Sequence, residues 1–149
     1  MDITVREAAV SDAAAVSRLI LDLLGFVVAD PSSREGEAFA ATVTPTSVAD
    51  RIAAPGCRCW VAETGGALAG FIAVRDGSHL YHLFVDVRCH RHGVARVLWQ
   101  HARASLPACT FTVNALLSAV PVYERFGFVP AGPPQTSEGL SFMAMTCTV

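Results

Sequence analysis

The amino-acid sequence predicts an α/β protein with a mixed β-sheet of about six to seven strands and about four flanking helices. Three observations favour this class. Short apolar runs with the two-residue period of strands alternate with segments whose apolar residues recur at helical spacing. Hydrophobic residues make up 52% of the chain and charged residues 16%, which is typical of a globular protein. The 149 residues show no internal repeat and no linker, so we expect one domain over residues 1–149.

The first half of the chain predicts a strand followed by two helices. Residues 3–8 alternate apolar and polar side chains, which indicates a half-buried strand. Apolar residues at helical spacing then predict a helix that ends at Gly25. Residues 30–46 are polar, small and broken by prolines, so we expect a loop or a short helix with loops there. Residues 47–54 predict a second helix.

The middle of the chain predicts a hairpin and a third strand. Strands over 59–63 and 67–75 flank a pair of glycines, the signature of a tight β-turn, and residues 79–85 predict the next strand. The remaining elements are a helix over 93–106, a strand over 110–114, a short helix over 118–126, a strand from 128 and a last strand over 141–147. The order is β-α-α-β-β-β-α-β-α-β-β.

Composition disfavours several classes of function. Eleven basic and thirteen acidic residues give a net charge of −2, whereas proteins that bind nucleic acid or anionic membranes are usually basic. No apolar run approaches the roughly 18 residues of a membrane span. The first residues lack the basic region of a secretory signal, and the five cysteines are an odd number. We therefore expect a cytoplasmic protein with reduced thiols.

The junction of the third central strand and the following helix is the most informative segment. It reads FVDVRCHRHGVARVLW over residues 84–99. A helix N-terminus leaves backbone N–H groups unpaired and favours anions. Gly93 allows close approach to the backbone, Arg91 and Arg96 add positive charge, and His90 and His92 can donate hydrogen bonds. The segment predicts a pyrophosphate site, and the alternative is an ordinary turn with solvated basic residues.

Known nucleotide motifs do not account for this segment, because the chain has neither a Walker A loop nor a G-x-G-x-x-G fingerprint near its first strand. Residues 90–95, HRHGVA, resemble instead the acyl-CoA loop of the GCN5-related N-acetyltransferase (GNAT) superfamily, which reads Gln/Arg-x-x-Gly-x-Gly/Ala. HLFVD at 82–86 resembles the family's fourth strand, and residues 114–128 are similar to its Asn…Tyr…Gly-Phe segment. The element order matches from Ile3 to Cys147. One departure is His90, which stands where the family has Gln or Arg.

The resemblance implies a single acyl-CoA N-acetyltransferase domain that moves an acetyl group from acetyl-CoA directly to a primary amine. It implies a small-molecule or peptide amine as acceptor, and it is compatible with a homodimer. Composition and side-chain placement lead us to expect no nucleic acid, membrane or metal. The non-catalytic alternative is an acyl-CoA-binding or partner-binding module of the same fold. The cofactor-binding residues implied are Phe84, Val85, His90, Arg91, His92, Gly93, Val94, Ala95, Arg96 and Asn114.

The resemblance also implies roles for individual residues. Tyr123 is the proton donor to the CoA thiolate, since a phenol stays protonated at neutral pH, and its alternative is a core tyrosine on an amphipathic helix. The backbone N–H of Phe84 or Val85, aimed by a β-bulge, polarises the thioester carbonyl. Asn114, at the end of its strand, orders the pantetheine arm where two strands splay, and its alternative is a turn asparagine.

The general base is the least specified part of the mechanism. His82 is the first candidate because an imidazole pKa near 6.5 suits proton transfer, and its alternative is a satisfied histidine of the sheet. His79 and Tyr81 lie on the same strand; strict alternation places them on one face and His82 on the other, and a bulge would shift that placement. Histidines that face opposite ways do not suggest a metal site. Glu35, Glu37 or a chain of waters are other candidates. Residues 25–46 and 132–139 are expected to shape the acceptor site.

Overall fold

A computed structural model of the chain describes residues 2–137 and 140–149. The described residues form eight strands and six α-helices. The strands are β1 (Thr4–Glu7), β2 (Cys57–Thr64), β3 (Ala67–Arg75), β4 (His79–Val85), β5 (Thr110–Leu116), β6 (Val129–Pro130), β7 (Gln135–Ser137) and β8 (Leu140–Thr148). The helices are α1 (Ala13–Asp22), α2 (Leu24–Val27), α3 (Arg34–Ala41), α4 (Pro45–Ala53), α5 (Val94–Ser105) and α6 (Val120–Arg125).

One mixed sheet runs through the molecule in the order β1-β2-β3-β4-β5-β8-β6, with β7 also pairing with β8. Its central pair, β4 and β5, is parallel, whereas the neighbouring pairs are antiparallel. The parallel pairing is short, since it joins only His79 to Thr112 and Leu80 to Val113. Beyond Leu80 the two strands have no ladder partners on each other, which leaves an opening in the middle of the sheet.

The sheet separates two hydrophobic cores. Trp60, Ile72, Leu98 and Phe111 belong to the core beneath α5, in which Trp99 packs edge-to-face on Phe111 at 5.1 Å. The second core lies beneath α1 and α4 and includes the buried side chains Val16, Ile20, Val43, Val48, Val61 and Phe71. Each side chain of a central strand therefore faces either the α5 side or the α1/α4 side.

The predicted fold class is confirmed, with more elements than expected. α3 lies within the segment that the sequence predicted as a loop or a short helix, and Ser33 caps it by accepting a hydrogen bond from Gly36 N–H at 3.1 Å. Strand β7 was not predicted. The predicted acceptor segment 132–139 ends at residues 138 and 139, which lie outside the described residues. Within the described part of the chain, no helix is both long enough and apolar enough to cross a bilayer.

A β-bulge in β4 changes the direction of one side chain. The pairing of β3 with β4 steps from Ala73–His82 to Val74–Leu80, so Tyr81 is an extra residue without a partner. The rings of Tyr81 and His82 consequently lie 4.3 Å apart on the α1/α4 side. Strict alternation, which would place Tyr81 and His82 on opposite faces, does not continue across this bulge, so the two side chains share a face.

Candidate active site

A cleft of about 460 Å³ lies beside the opening between β4 and β5. It is bounded by the end of β4, the loop that leads into α5, the first turn of α5, and α6. The lining residues are Leu83, Val85, Cys89, His90, Arg91, Gly93, Val94, Ala95, Arg96, Ala119, Val122, Tyr123, Arg125 and Phe126. Most of the predicted cofactor-binding loop, together with the predicted catalytic tyrosine, therefore lines one cavity.

The N-terminus of α5 presents unpaired backbone donors to this cleft. Gly93 is the N-cap in the left-handed conformation, with φ 81° and ψ 11°. Val97 N–H donates to the Gly93 carbonyl at 3.0 Å, and the preceding N–H groups of the first turn have no carbonyl four residues back in the helix. A Cβ built on Gly93 meets no atom within 4 Å, so the approach to these donors is open.

Arg91 adopts the left-handed conformation as well, with φ 68°. This backbone costs a residue other than glycine about 1 kcal/mol, and such strain is concentrated at functional sites. Arg91 and Gly93 are thus both left-handed in the loop that leads into α5.

The charge of the cleft is uniformly positive. Arg91, Arg96 and Arg125 line it, and none of the described lining residues is acidic. The Arg96 guanidinium also lies over the Phe126 ring, 5.5 Å from its centroid. Arg125 was not predicted from the sequence. Spacing from the predicted Tyr123 did not identify it, because residues two positions apart on a helix are not neighbours on one face.

His90, at the position that departs from the family pattern, is tied to the end of β4. Its Nε2–H donates to the Val85 carbonyl oxygen at 2.8 Å, and its ring packs edge-to-face on Phe26 with centroids 6.1 Å apart. The imidazole therefore joins the α5 loop to the strand. His92 is exposed and is not among the residues that line the cleft.

The register of β4 decides which backbone groups face the opening. Phe84 pairs with Phe71 of β3, and Asp86 N–H donates to the Ala69 carbonyl at 2.8 Å. Alternate residues of an antiparallel strand direct their backbone groups to the same neighbour, so Phe84 bonds to β3 as Asp86 does. Leu83 and Val85 direct theirs toward β5, which has already diverged. Of the two predicted carbonyl-polarising residues, Val85 rather than Phe84 faces the opening, and the bulge lies earlier, at Tyr81.

Tyr123 lies at the inner wall of the cleft and is only 6% exposed. Its ring packs edge-to-face on Phe126 and Phe128, with centroid distances of 6.0 and 5.5 Å. Burial raises the pKa of the Tyr123 phenol well above its ordinary value. The hydroxyl therefore keeps its proton throughout the neutral range.

Comparison with known proteins agrees with this geometry. The model of the acetyltransferase (GNAT) domain family matches residues 27–149. The chain belongs to the GNAT superfamily. A search of curated proteins found no match.

Several solved structures share the whole fold. A GCN5-related N-acetyltransferase from Rhodopseudomonas palustris is 23% identical, with a TM-score of 0.81 over 100% of this chain and 97% of that one. The PaiA N-acetyltransferase from Thermoplasma acidophilum, solved in complex with coenzyme A, is 15% identical, with a TM-score of 0.80 over 100% of both chains. YjaB from Escherichia coli is 24% identical, with a TM-score of 0.71 over 98% of this chain and 97% of that one.

Asn114 of this GNAT domain lies at the opening but not in the cleft. It is the first residue of β5 beyond Val113, the last partner of β4, and it pairs with Ala144 of β8. The neighbours Val113 and Ala115 are buried in the α5-side core, so the exposed Asn114 side chain is on the α1/α4 side. The strand continues to Leu116, so the prediction that Asn114 ends it is wrong.

His82 is also on the α1/α4 side, away from Tyr123. It is 6% exposed, and its Nε2 has no hydrogen-bond partner in the described part of the chain. Burial, with smaller contributions from the charges of Arg51 and Arg75, lowers the pKa of His82 to about 3. The imidazole is therefore neutral at any working pH and is a weak base.

The other candidates for the base are dispersed. His79 Nδ1 lies 2.7 Å from Thr112 Oγ1, which joins β4 to β5 at the last point where they pair. Glu35 and Glu37 lie in the first turn of α3, where the positive end of the helix dipole stabilises carboxylates. Residues 2–137 and 140–149 contain no group of three or more metal-ligating side chains arranged to hold an ion.

Proposed function

We propose that this GNAT domain is an acetyl-CoA-dependent N-acetyltransferase that transfers acetyl directly to the primary amine of a small molecule or peptide. One observation carries the proposal. A single cleft joins an anion-binding helix N-terminus, an unpaired stretch of β4 and a buried tyrosine. The structural neighbour solved with coenzyme A supports the choice of cofactor. The five free cysteines suit a reducing cytoplasm.

The residues of the cleft fit a CoA thioester along its length. The N–H groups at the start of α5, with Arg91, Arg96 and Arg125, would hold the diphosphate on an open, positive surface. Backbone groups of β4 that face the opening, those of Leu83 among them, would bond to the amides of the pantetheine arm as a further strand would. When bound, acetyl-CoA supplies an activated acetyl group and a thiol leaving group.

The chemistry then needs two donors, one at the thioester oxygen and one at the departing sulfur. Val85 N–H would donate to the thioester oxygen, where negative charge develops during attack by the amine. Tyr123 O–H would give its proton to the departing sulfur, because burial keeps this phenol protonated. An alkylamine with a pKa near ~10 must also lose a proton. The low pKa of His82 favours removal of that proton through water over removal by His82 itself.

The second candidate is an acyl-CoA-binding or partner-binding module without catalysis. It is favoured by His90, whose Nε2 is bonded to the Val85 carbonyl and so cannot also bond a phosphate. This candidate predicts that acetyl-CoA binds while no amine in a broad panel is acetylated.

Binding is tested by thermal unfolding with and without acetyl-CoA, with ATP and NADH as comparison ligands. Acetyl-CoA at 100 times its Kd should add about 2.7 kcal/mol, which raises the midpoint of a domain of this size by roughly 5 to 10 °C. Gly93→Asp places a carboxylate at the anion-binding N-terminus of α5 and should abolish this shift. Gly77→Asp is the matched control, because Gly77 is also left-handed, with φ 75°, and has no neighbour within 4 Å of a Cβ. No shift for the unaltered protein would refute the proposal.

Transfer is tested by mass detection of acetylated amines from a panel of small amines and peptides. The eleven basic residues are all arginine, so the chain offers no lysine side chain for self-acetylation. An acetylated product supports the enzyme. A thermal shift without any acetylated product supports the binding module.

A further inference from the structure

A cluster of polar side chains surrounds the ring of Tyr81 on the α1/α4 side of the sheet. The Arg75 guanidinium carbon lies 3.8 Å from the ring centroid, the Arg51 carbon 5.3 Å, and the His82 ring 4.3 Å. Arg51 comes from α4, whereas the other residues come from β3 and β4. We call Arg51, Arg75, Tyr81 and His82 the Tyr81 cluster.

Two buried atoms of this cluster have no hydrogen-bond partner in the described residues. They are Arg51 Nη1 and His82 Nε2. Arg51 is partly engaged, since its Nη2 donates to the Thr42 carbonyl at 2.9 Å. A buried polar atom left unpaired costs about 1–3 kcal/mol, so such atoms call for a partner that arrives from outside.

The cluster also carries positive charge that nothing nearby neutralises directly. The ion pairs of the described residues involve Arg6, Arg58 and Arg88, and neither Arg51 nor Arg75 forms one. Asp76 acts electrostatically on the neighbouring Cys57 and His79, which reduces the net positive charge of this region. A singly charged anion suits this balance better than a doubly charged one.

We propose that the Tyr81 cluster binds the carboxylate of the acceptor, so that the acceptor is an amino carboxylic acid. The planar fork of arginine matches a carboxylate, and a buried guanidinium nitrogen with no acceptor is half of such a pair. This inference rests on the proposed function, because it places the carboxylate on the face of the sheet opposite the cleft, from which the amine reaches the thioester.

The position of the cluster on β4 sets the length of the acceptor. Tyr81 precedes Leu83 by two residues and Val85 by four, and a strand rises about 3.3 Å per residue. The carboxylate therefore lies roughly 7 to 13 Å from the proposed site of transfer. An α-amino group is too close to its own carboxylate to bridge this distance. A side-chain amine or a terminal amine several methylenes away can do so.

Matched pairs of amines test the proposal by kinetics. Lysine is compared with cadaverine, which is the same diamine without the carboxylate, and 6-aminohexanoate is compared with hexylamine. We expect kcat/KM for the acid of each pair to exceed that for its partner by at least about tenfold, the loss that one unmade charged contact causes. Equal values for both members would overturn the proposal.

Substitutions locate the source of the preference. Arg75→Gln should bring the acid-to-amine ratio of kcat/KM toward one, and Arg75→Lys should restore part of it through charge alone. Arg75 is chosen first because Arg51 also holds Thr42, so its loss risks misfolding. Arg103→Gln removes a charge from the exposed side of α5 and should keep the full ratio. A ratio that survives Arg75→Gln would contradict the assignment.

A binding measurement tests the site without any transfer. The side-chain nitrogen resonances of His82 are followed by NMR while hexanoate, hexylamine or inorganic phosphate is added to the unliganded protein. Saturable changes with hexanoate alone, absent in Arg75→Gln, support the carboxylate site even if no amine is acetylated. No saturable change with hexanoate, or stronger binding of phosphate, would refute it. Failure here with acetylation intact refutes only the carboxylate site, whereas binding here without acetylation refutes only the proposed activity.

Discussion

Tyr123 combines a place in the packed core with a place on the wall of the cleft. Its ring packs on Phe126 and Phe128, yet it lines the cleft beside the opening in the sheet. A purely structural tyrosine would tolerate loss of its hydroxyl without kinetic consequence, because the ring supplies the packing. The role of the hydroxyl is therefore separable from the role of the ring.

Tyr123→Phe should lower kcat by about 10²- to 10⁴-fold, the usual contribution of a positioned acid. The thermal shift caused by acetyl-CoA should persist, because the arginines and the α5 N-terminus are unchanged. In the unaltered enzyme, the raised pKa of Tyr123 means that kcat should not fall between pH 8 and about pH 10 through ionisation of this phenol. An unchanged kcat in Tyr123→Phe would remove the residue from the mechanism.

Among the secondary-structure elements, α5 depends on a close approach to β3. A Cβ built on Gly70 lies 2.9 Å from Leu98 Cδ1, 3.0 Å from Val94 Cγ1 and 3.1 Å from the Phe84 carbonyl oxygen. The first two atoms belong to α5, and the third belongs to the neighbouring strand. Glycine at position 70 thus lets the helix that carries the anion site lie directly on the sheet.

Gly70→Ala should destabilise the protein by about 1–3 kcal/mol, because an extra methyl group in a packed core displaces its neighbours. The measurement is urea unfolding, with the acetyl-CoA thermal shift as a readout of the position of α5. Gly25→Ala is the control, since a Cβ at Gly25 meets nothing within 4 Å and alanine favours the helical conformation of α2. Equal stability of the two variants would show that α5 moves away without cost.

The sequence predicts elements well where their signals are local. The run of apolar residues at 79–85 and the glycine at 93 predicted β4 and the start of α5 closely. α3 was harder to predict, because Pro31 and Gly36 suggest a loop. In the structure Gly36 is required by contact rather than by flexibility, since a Cβ there would lie 2.9 Å from Pro31 Cα. That contact is invisible in a linear pattern.

The site is less predictable than the elements because it depends on register. The bulge at Tyr81 exists only in the pairing of β4 with β3, so periodicity within β4 alone placed Tyr81 and His82 on opposite faces. Register likewise decides that Val85, and not Phe84, faces the opening. Arg51 joins the Tyr81 cluster from a helix that is 30 residues away in sequence from Tyr81. No local pattern connects these residues.

At the scale of the whole molecule, His82 couples folding to pH. The folded protein holds its pKa near 3, mainly through burial, whereas an exposed histidine titrates near 6.5. Below pH 6.5 the His82 imidazole binds a proton in the unfolded chain, whereas in the folded chain it does not bind one until about pH 3. The free energy of unfolding therefore falls as the pH is lowered through this window, and it is unaffected by His82 above it.

Each pH unit below 6.5 should cost about 1.4 kcal/mol through this one group, or about 2 kcal/mol between pH 7 and pH 5. Urea unfolding at pH 7, 6 and 5 measures the loss. His82→Gln keeps a polar side chain of similar size without a titrating group. Between pH 7 and pH 5 the free energy of unfolding of this variant should therefore fall by about 2 kcal/mol less than that of the unaltered protein. Parallel pH dependence of the two proteins would show that the folded state accommodates a protonated His82. The imidazole would then be available as the base for the incoming amine, and water would no longer be needed in that role.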